Sequence, residues 1–148
     1  MRKSKTLLSI LRIALGWLFF WAFLDKLFGL GFSTCAKIGP MCSDAWLKGG
    51  SPTAGFLNYA ARGPFADYYH SLAGSPIIAW AFMLILLFLG ISLMFGVYTK
   101  FGATLGAALM LTIYGAQIPP EHNPILDEHI IYALALLYIA KTSRKKFK

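Results

Sequence analysis

Cysteine is scarce in this chain: Cys35 and Cys42 are the only two in 148 residues. They cannot supply a four-cysteine zinc site, and their spacing lacks the CxxC arrangement that activates a thiol. No flavin, haem or cluster motif is visible. No ligand spacing marks a metal site, although Glu121, His122, Asp127 and His129 are of the types that bind zinc or iron. Acids are few as well, six against fourteen lysines and arginines, for a formal charge of +8. So basic a chain raises nucleic acid as a partner. Its basic residues sit towards the ends, however, and a phosphate-tracking groove needs them clustered on one amphipathic or aromatic-interleaved surface. Nucleic acid is therefore set aside. No internal repeat is detectable either, which leaves an alternating-access transporter little to rock unless two chains pair.

What the chain has in abundance is apolar surface: 57% of residues are hydrophobic and 16% aromatic, with a mean hydropathy of +0.61. A soluble domain of this size is not so oily, and the composition predicts one integral membrane domain over residues 1–148. A basic leader with Arg2, Lys3 and Lys5 precedes an apolar run from Leu7 to Leu24. That run exceeds the about 7–15 residues of a signal-peptide core, and Trp17 and Trp21 make it bulky where small residues would mark cleavage. It is read as a retained first span over about 7–26, with a signal cleaved near Gly29 and Gly31 as the alternative. The Gly- and Pro-rich segment 27–75 is read as an external loop carrying short amphipathic helices. Ser51-Pro52 gives one helix start, and Phe65, Tyr68, Tyr69 and Leu72 recur at helical spacing. Ser75-Pro76 opens a second span over 76–96. A third runs over 101–118, with Gly102 and Gly106 at small-xxx-small spacing. The predicted fold is all-α: an integral membrane four-helix bundle with a long external loop.

The fourth span carries the functional argument. Its uninterrupted apolar run, Ile130 to Ala140, is too short to cross a bilayer, which takes about 20 residues. A span over 124–141 draws Asp127, Glu128 and His129 to membrane depth, where ionisable groups face a partner or a water-filled cavity. Charge supports the topology. The terminal side collects Arg2, Arg12, Lys100, Lys141 and the basic tail without a carboxylate, whereas all six acids fall on the loop side. By the positive-inside rule both termini are cytoplasmic in the cell membrane.

The loop-side ends of the spans bring Glu128, His129 and Tyr132 near Gln117, Tyr114, Asp25 and Lys26. A neutral imidazole and carboxylates can pass protons, and Tyr and Gln can hydrogen-bond a carbonyl. A quinone-reducing site needs such groups. The alternative reading is that the acids decorate a helix N-terminus, where the dipole favours negative charge, while His129 satisfies a carboxylate. Lys26 and Arg62 are candidates for binding an anionic substrate, with Lys26–Asp25 as an ordinary helix-end charge pair the other reading. Arg12, inside the first span, is read as an anchor that snorkels to phosphates. Cys35 and Cys42 lie on the oxidising side, as a structural disulfide or a redox-active pair.

The first span LRIALGWLFFWAFLDKL, the loop WLKGGSPTAGFL, the segment LAGSPIIAW and the fourth span NPILDEHIIYALALL together resemble the DoxX/DoxD membrane family. The likeness is greatest to its DoxD-like small subunits of thiosulfate:quinone oxidoreductase. The resemblance implies a four-helix membrane protein that, with a DoxA-like second subunit, oxidises thiosulfate to tetrathionate and passes electrons to quinone. Its motifs are glycines and membrane-edge charges rather than a catalytic signature, so the site residues stand on the physical argument. On that argument thiosulfate binds near Lys26 and Arg62, and quinone reaches Glu128, His129 and Tyr132 with Gln117, Tyr114 and Asp25 around it. Two rival functions remain open: a non-catalytic membrane scaffold for a soluble oxidoreductase, and a thiol-oxidising, quinone-linked enzyme using Cys35 and Cys42.

Overall fold

The computed structural model describes residues 2–35, 39, 41–121 and 123–143, and among them there is no strand. Four long helices form the body: α1 (Arg2–Phe28), α3 (Pro76–Phe95), α4 (Thr99–Ala116) and α5 (Glu128–Thr142). A short α2 (Ala66–Ser71) lies between the first two. Stretches Lys5–Phe28 and Pro76–Phe95 are long and apolar enough to cross a membrane. Local chemistry sets the boundaries. Ser75 is extended and Pro76 takes the first helical position of α3, which ends where Gly96 turns left-handed at φ 76°. α4 stops at Ala116 rather than 118, because the ring of Pro119 disfavours helical backbone at Ile118.

The last helix departs furthest from expectation. It begins at Glu128, not 124, because two side chains claim the preceding amides. Asn123 Oδ1 accepts from the backbone N–H of Ile125 and Leu126 at 2.9 and 3.0 Å. Asp127 Oδ1 accepts from His129 and Ile130 at 3.0 and 3.2 Å, capping the helix. The fifteen residues of α5 rise only about 22 Å. The length argument that drew Glu128 to membrane depth therefore does not describe the helix itself. His122 and residues 144–148, which held one candidate metal ligand and the basic tail, lie outside the described residues.

The helices pack chiefly as two antiparallel pairs, α1 with α3 and α4 with α5. Glycine makes the first pair close. A Cβ on Gly16 would stand 2.7 Å from the Met94 backbone nitrogen, and one on Gly90 2.7 Å from the Phe20 Cβ. The small-residue stripe on α4 serves the same end: Gly102 abuts the Ser92 side chain, and Gly106 faces Leu89 and Leu136. Leu89, Leu93, Ala103 and Leu136 are fully buried where the pairs meet. At the end of the bundle where α1 begins and α3 ends, the Arg12 guanidinium donates to the carbonyls of Leu93 and Met94. These belong to the last turn of α3, whose carbonyls lack helical partners. Arg12 is thus an anchor to a neighbouring helix end.

At the opposite end, the described residues between α1 and α3 fold back over the bundle. Asp25, near the end of α1, is 1% exposed and organises this segment. Its carboxylate accepts from the backbone N–H of Phe32 and Ser33, each at 3.0 Å, and from the hydroxyls of Ser33 and Thr34, each at 2.8 Å. A disulfide joins Cys35 to Cys42, with Cα atoms 6.4 Å apart, and both sulfurs pack against Gly29, which is left-handed at φ 61°. Trp46 meets Trp80 of α3 edge-on at 4.6 Å. Ser51 Oγ accepts from Ala54 N–H at 3.1 Å, starting the predicted short helix. The amphipathic stretch from Pro64 splits into a tight turn, Gly63–Phe65, and α2. The Tyr69 hydroxyl donates to the Thr112 carbonyl of α4 at 2.9 Å and fastens α2 to the bundle.

Candidate functional site

The two helix pairs leave space between them at the loop end. A cavity of about 1010 Å³ runs between all four long helices and the segment 50–57. Along α1 it extends from Leu15 to Lys26, about 16 Å of helical rise. Leu15, Phe19, Ile85, Leu86 and Met110 line its inner part, and the polar lining collects towards the loop end: Lys26, Thr34, Thr53, Tyr69, His129 and Tyr132. The volume matches that of a site for one sizeable small molecule, and an apolar body with a few polar groups at one end is the usual make-up of such sites.

Three of the residues expected at the site line this cavity. Lys26 donates to Ser33 Oγ at 3.2 Å, and the Ser33 hydroxyl donates in turn to Asp25, so the ammonium reaches the Asp25 carboxylate through one hydroxyl. His129 holds its Nδ1 2.9 Å from Asp127 Oδ2. An ionised carboxylate accepts, so Nδ1 carries the hydrogen and Nε2 remains for other partners. Tyr132, one turn further along α5, brings a phenol to the same wall.

The other expected residues lie elsewhere. Glu128 is exposed and lines a second, smaller cavity of about 250 Å³ with Arg62, Gln117, Glu121 and Asp127. There Arg62 stands 3.6 Å from Glu121 in an exposed pair, which adds little to stability. Tyr114 donates to the Ile125 carbonyl at 2.6 Å and pins the connection before α5. Asp25 has its carboxylate filled by the loop residues it holds. One corner in the sequence is thus two compartments in the fold, divided across the first turn of α5. Ligand atoms of Asp127, Glu128 and His129 lie within 4.8 Å of one another, but capping and the Asp127–His129 contact already employ two of these side chains.

Thr34, Thr53 and Tyr69 line the large cavity without having been expected at the site. Thr53 follows Ser51-Pro52, and the cap signal there concerns Ser51. Tyr69 reads from the sequence as an interfacial aromatic. Burial, with Tyr68 beside it, raises the Tyr69 phenol above its ordinary pKa, so it stays protonated as the donor to Thr112. The stretch Gly50 to Leu57 supplies the unbroken part of the cavity wall contributed by the loop. That wall, together with the α1, α3 and α4 faces opposite, falls inside the match of a DoxX family model to residues 7–116. The chain belongs to the DoxX family. DoxX is a membrane family, and the all-helical bundle with its two long apolar helices is a DoxX membrane bundle. No curated protein and no solved structure matches the chain.

Proposed function

We propose that this DoxX protein is the membrane subunit of a quinone-linked oxidoreductase that takes electrons from thiosulfate, in the manner of DoxD-like subunits working with a DoxA-like partner. The observation that carries the reading is the large cavity: apolar over most of its length and furnished with an imidazole, a phenol and an ammonium at one end. These residues fit a quinone, whose apolar tail and polar ring ask for that division. Joining two thiosulfate dianions by a new S–S bond releases two electrons, and reducing one quinone to quinol consumes those electrons with two protons. The chain's residues supply binding and protons. Asp127 orients the His129 ring through Nδ1, the Tyr132 hydroxyl offers hydrogen to an acceptor oxygen, Nε2 of His129 accepts in the neutral ring and donates once the ring is protonated, and Lys26 offers an ammonium to a dianion. The charge asymmetry supports four spans with both termini cytoplasmic, which sets the cavity's polar end on the outer side.

A thiol-oxidising reading has one observation in its favour. Thr34, which lines the cavity, directly precedes Cys35 of the disulfide. A dithiol closing to that disulfide gives up the same two electrons and two protons.

The test is quinone reduction by the purified protein in nanodiscs with thiosulfate as donor, alone and with membranes supplying a partner. Thiosulfate-dependent reduction is expected, with His129→Ala slowed about 100-fold or more, the usual scale of a lost proton donor. Glu128→Ala, on the other compartment, should lose far less. Reduction that follows an added dithiol and ignores thiosulfate would favour the thiol reading. No reduction by folded protein with partners present would leave a scaffold.

A further inference from the structure

Among the described side chains, two nitrogen or oxygen atoms are buried without any hydrogen-bond partner: Thr53 Oγ1 and Arg62 Nε. Arg62 belongs to the small polar compartment and has Glu121 beside it. Thr53 lines the large cavity and is 6% exposed. Other polar groups that line the cavity are engaged: Lys26 with Ser33, Thr34 with Asp25, Tyr69 with Thr112, and His129 Nδ1 with Asp127. The local turn does not need the Thr53 hydroxyl either. Ser51 caps the turn, and the Thr53 carbonyl accepts from Leu57 N–H at 2.9 Å. A buried hydroxyl left unpaired is costly, and it persists in folded proteins where something outside the chain completes it.

We propose that Thr53 is the hydrogen-bond donor that seats the head of the cavity's ligand, and that it selects apolar molecules carrying an acceptor oxygen over equally apolar molecules without one. The proposal rests on the quinone reading for the identity of that oxygen, a ring carbonyl. Thr53 acts as a positioning residue: it fixes the head group within the cavity that His129 and Tyr132 also line, and transfers nothing itself. A site built to hydrogen-bond its ligand rejects the analogue that lacks the group, because the buried donor is then left unpaired.

The experiment compares wild type with Thr53→Val, which keeps the shape and removes the hydroxyl, and Thr53→Ser, which keeps the hydroxyl. Binding of a short-tailed benzoquinone and of an alkylbenzene of equal length is measured by calorimetry in nanodiscs, alongside each variant's Tm without ligand. The expected result for Thr53→Val is quinone binding weakened about three- to tenfold, the scale of one net hydrogen bond. Alkylbenzene binding and the ligand-free Tm should be unchanged or raised, and Thr53→Ser should retain quinone binding. Thr53→Val binding quinone as well as wild type overturns the proposal. So does a lower Tm with both ligands weakened alike, which would make Thr53 a structural contact. Failure of wild type to bind the quinone overturns the proposal and the quinone reading together. Hydroxyl-dependent quinone binding without reduction by any donor would keep the proposal and remove the oxidoreductase reading.

Discussion

Two charged residues sit on the same apolar helix, Arg12 and Asp25, about 20 Å apart along α1, and neither relies on a counter-charge in contact. Arg12 is partly buried and donates to two carbonyls that end α3. Asp25 is almost fully buried and accepts four hydrogen bonds from a loop three residues long. The difference lies in what each finds waiting. The carbonyls at a helix terminus exist whether or not an arginine reaches them, and water or headgroups can replace it. The turn at 32–34 has the Phe32 ring against Trp21 and the Lys26–Ser33 contact beside it, but the two amides of Phe32 and Ser33 turn inward to the carboxylate. One charge decorates an existing end, whereas the other creates the structure that satisfies it.

Substitutions test that contrast directly. Asp25→Leu should have the largest effect, because two amides and two hydroxyls lose their acceptor at once. We expect a loss on the order of 3 kcal/mol or more, read as a fall in Tm in detergent with early proteolysis between 29 and 50. Asp25→Asn keeps an acceptor oxygen and should fall between Leu and wild type; equality of Asn and Leu would mean that charge rather than geometry organises the loop. Replacing Cys35 and Cys42 together by Ser comes next. The bridge spans a short stretch of chain, so its loss should cost about 2 kcal/mol and leave thiosulfate-dependent reduction intact. Loss of reduction in a folded double variant would instead make the sulfurs electron carriers. Arg12→Met should be the mildest, about 1 kcal/mol, since the methionine preserves the stem's packing. A larger fall than for Asp25→Asn would invert the comparison.

The helices were legible because their signals are local: the Ser75-Pro76 start, the proline pair after α4, and the glycine spacing on α4. Lys26, His129 and Tyr132 could be gathered from topology alone, since antiparallel helices bring alternate ends together. The start of α5 follows capping chemistry rather than the length of a bilayer crossing, because Asn123 and Asp127 both bind amides ahead of the helix. Arg12's partners lie 81 and 82 residues away, and no pattern announces them. Nor does any motif distinguish Thr53 from a surface threonine. Its significance arises only when the fold buries the hydroxyl beside a cavity that α1, α3, α4 and α5 line.

The match to the family ends at Ala116, and His129 and Tyr132 come after it. The vessel, the wall of the cavity, is therefore encoded upstream of the two ring side chains that complete its lining. Rewriting the opening turns of the last helix would exchange the reagents without recasting the vessel.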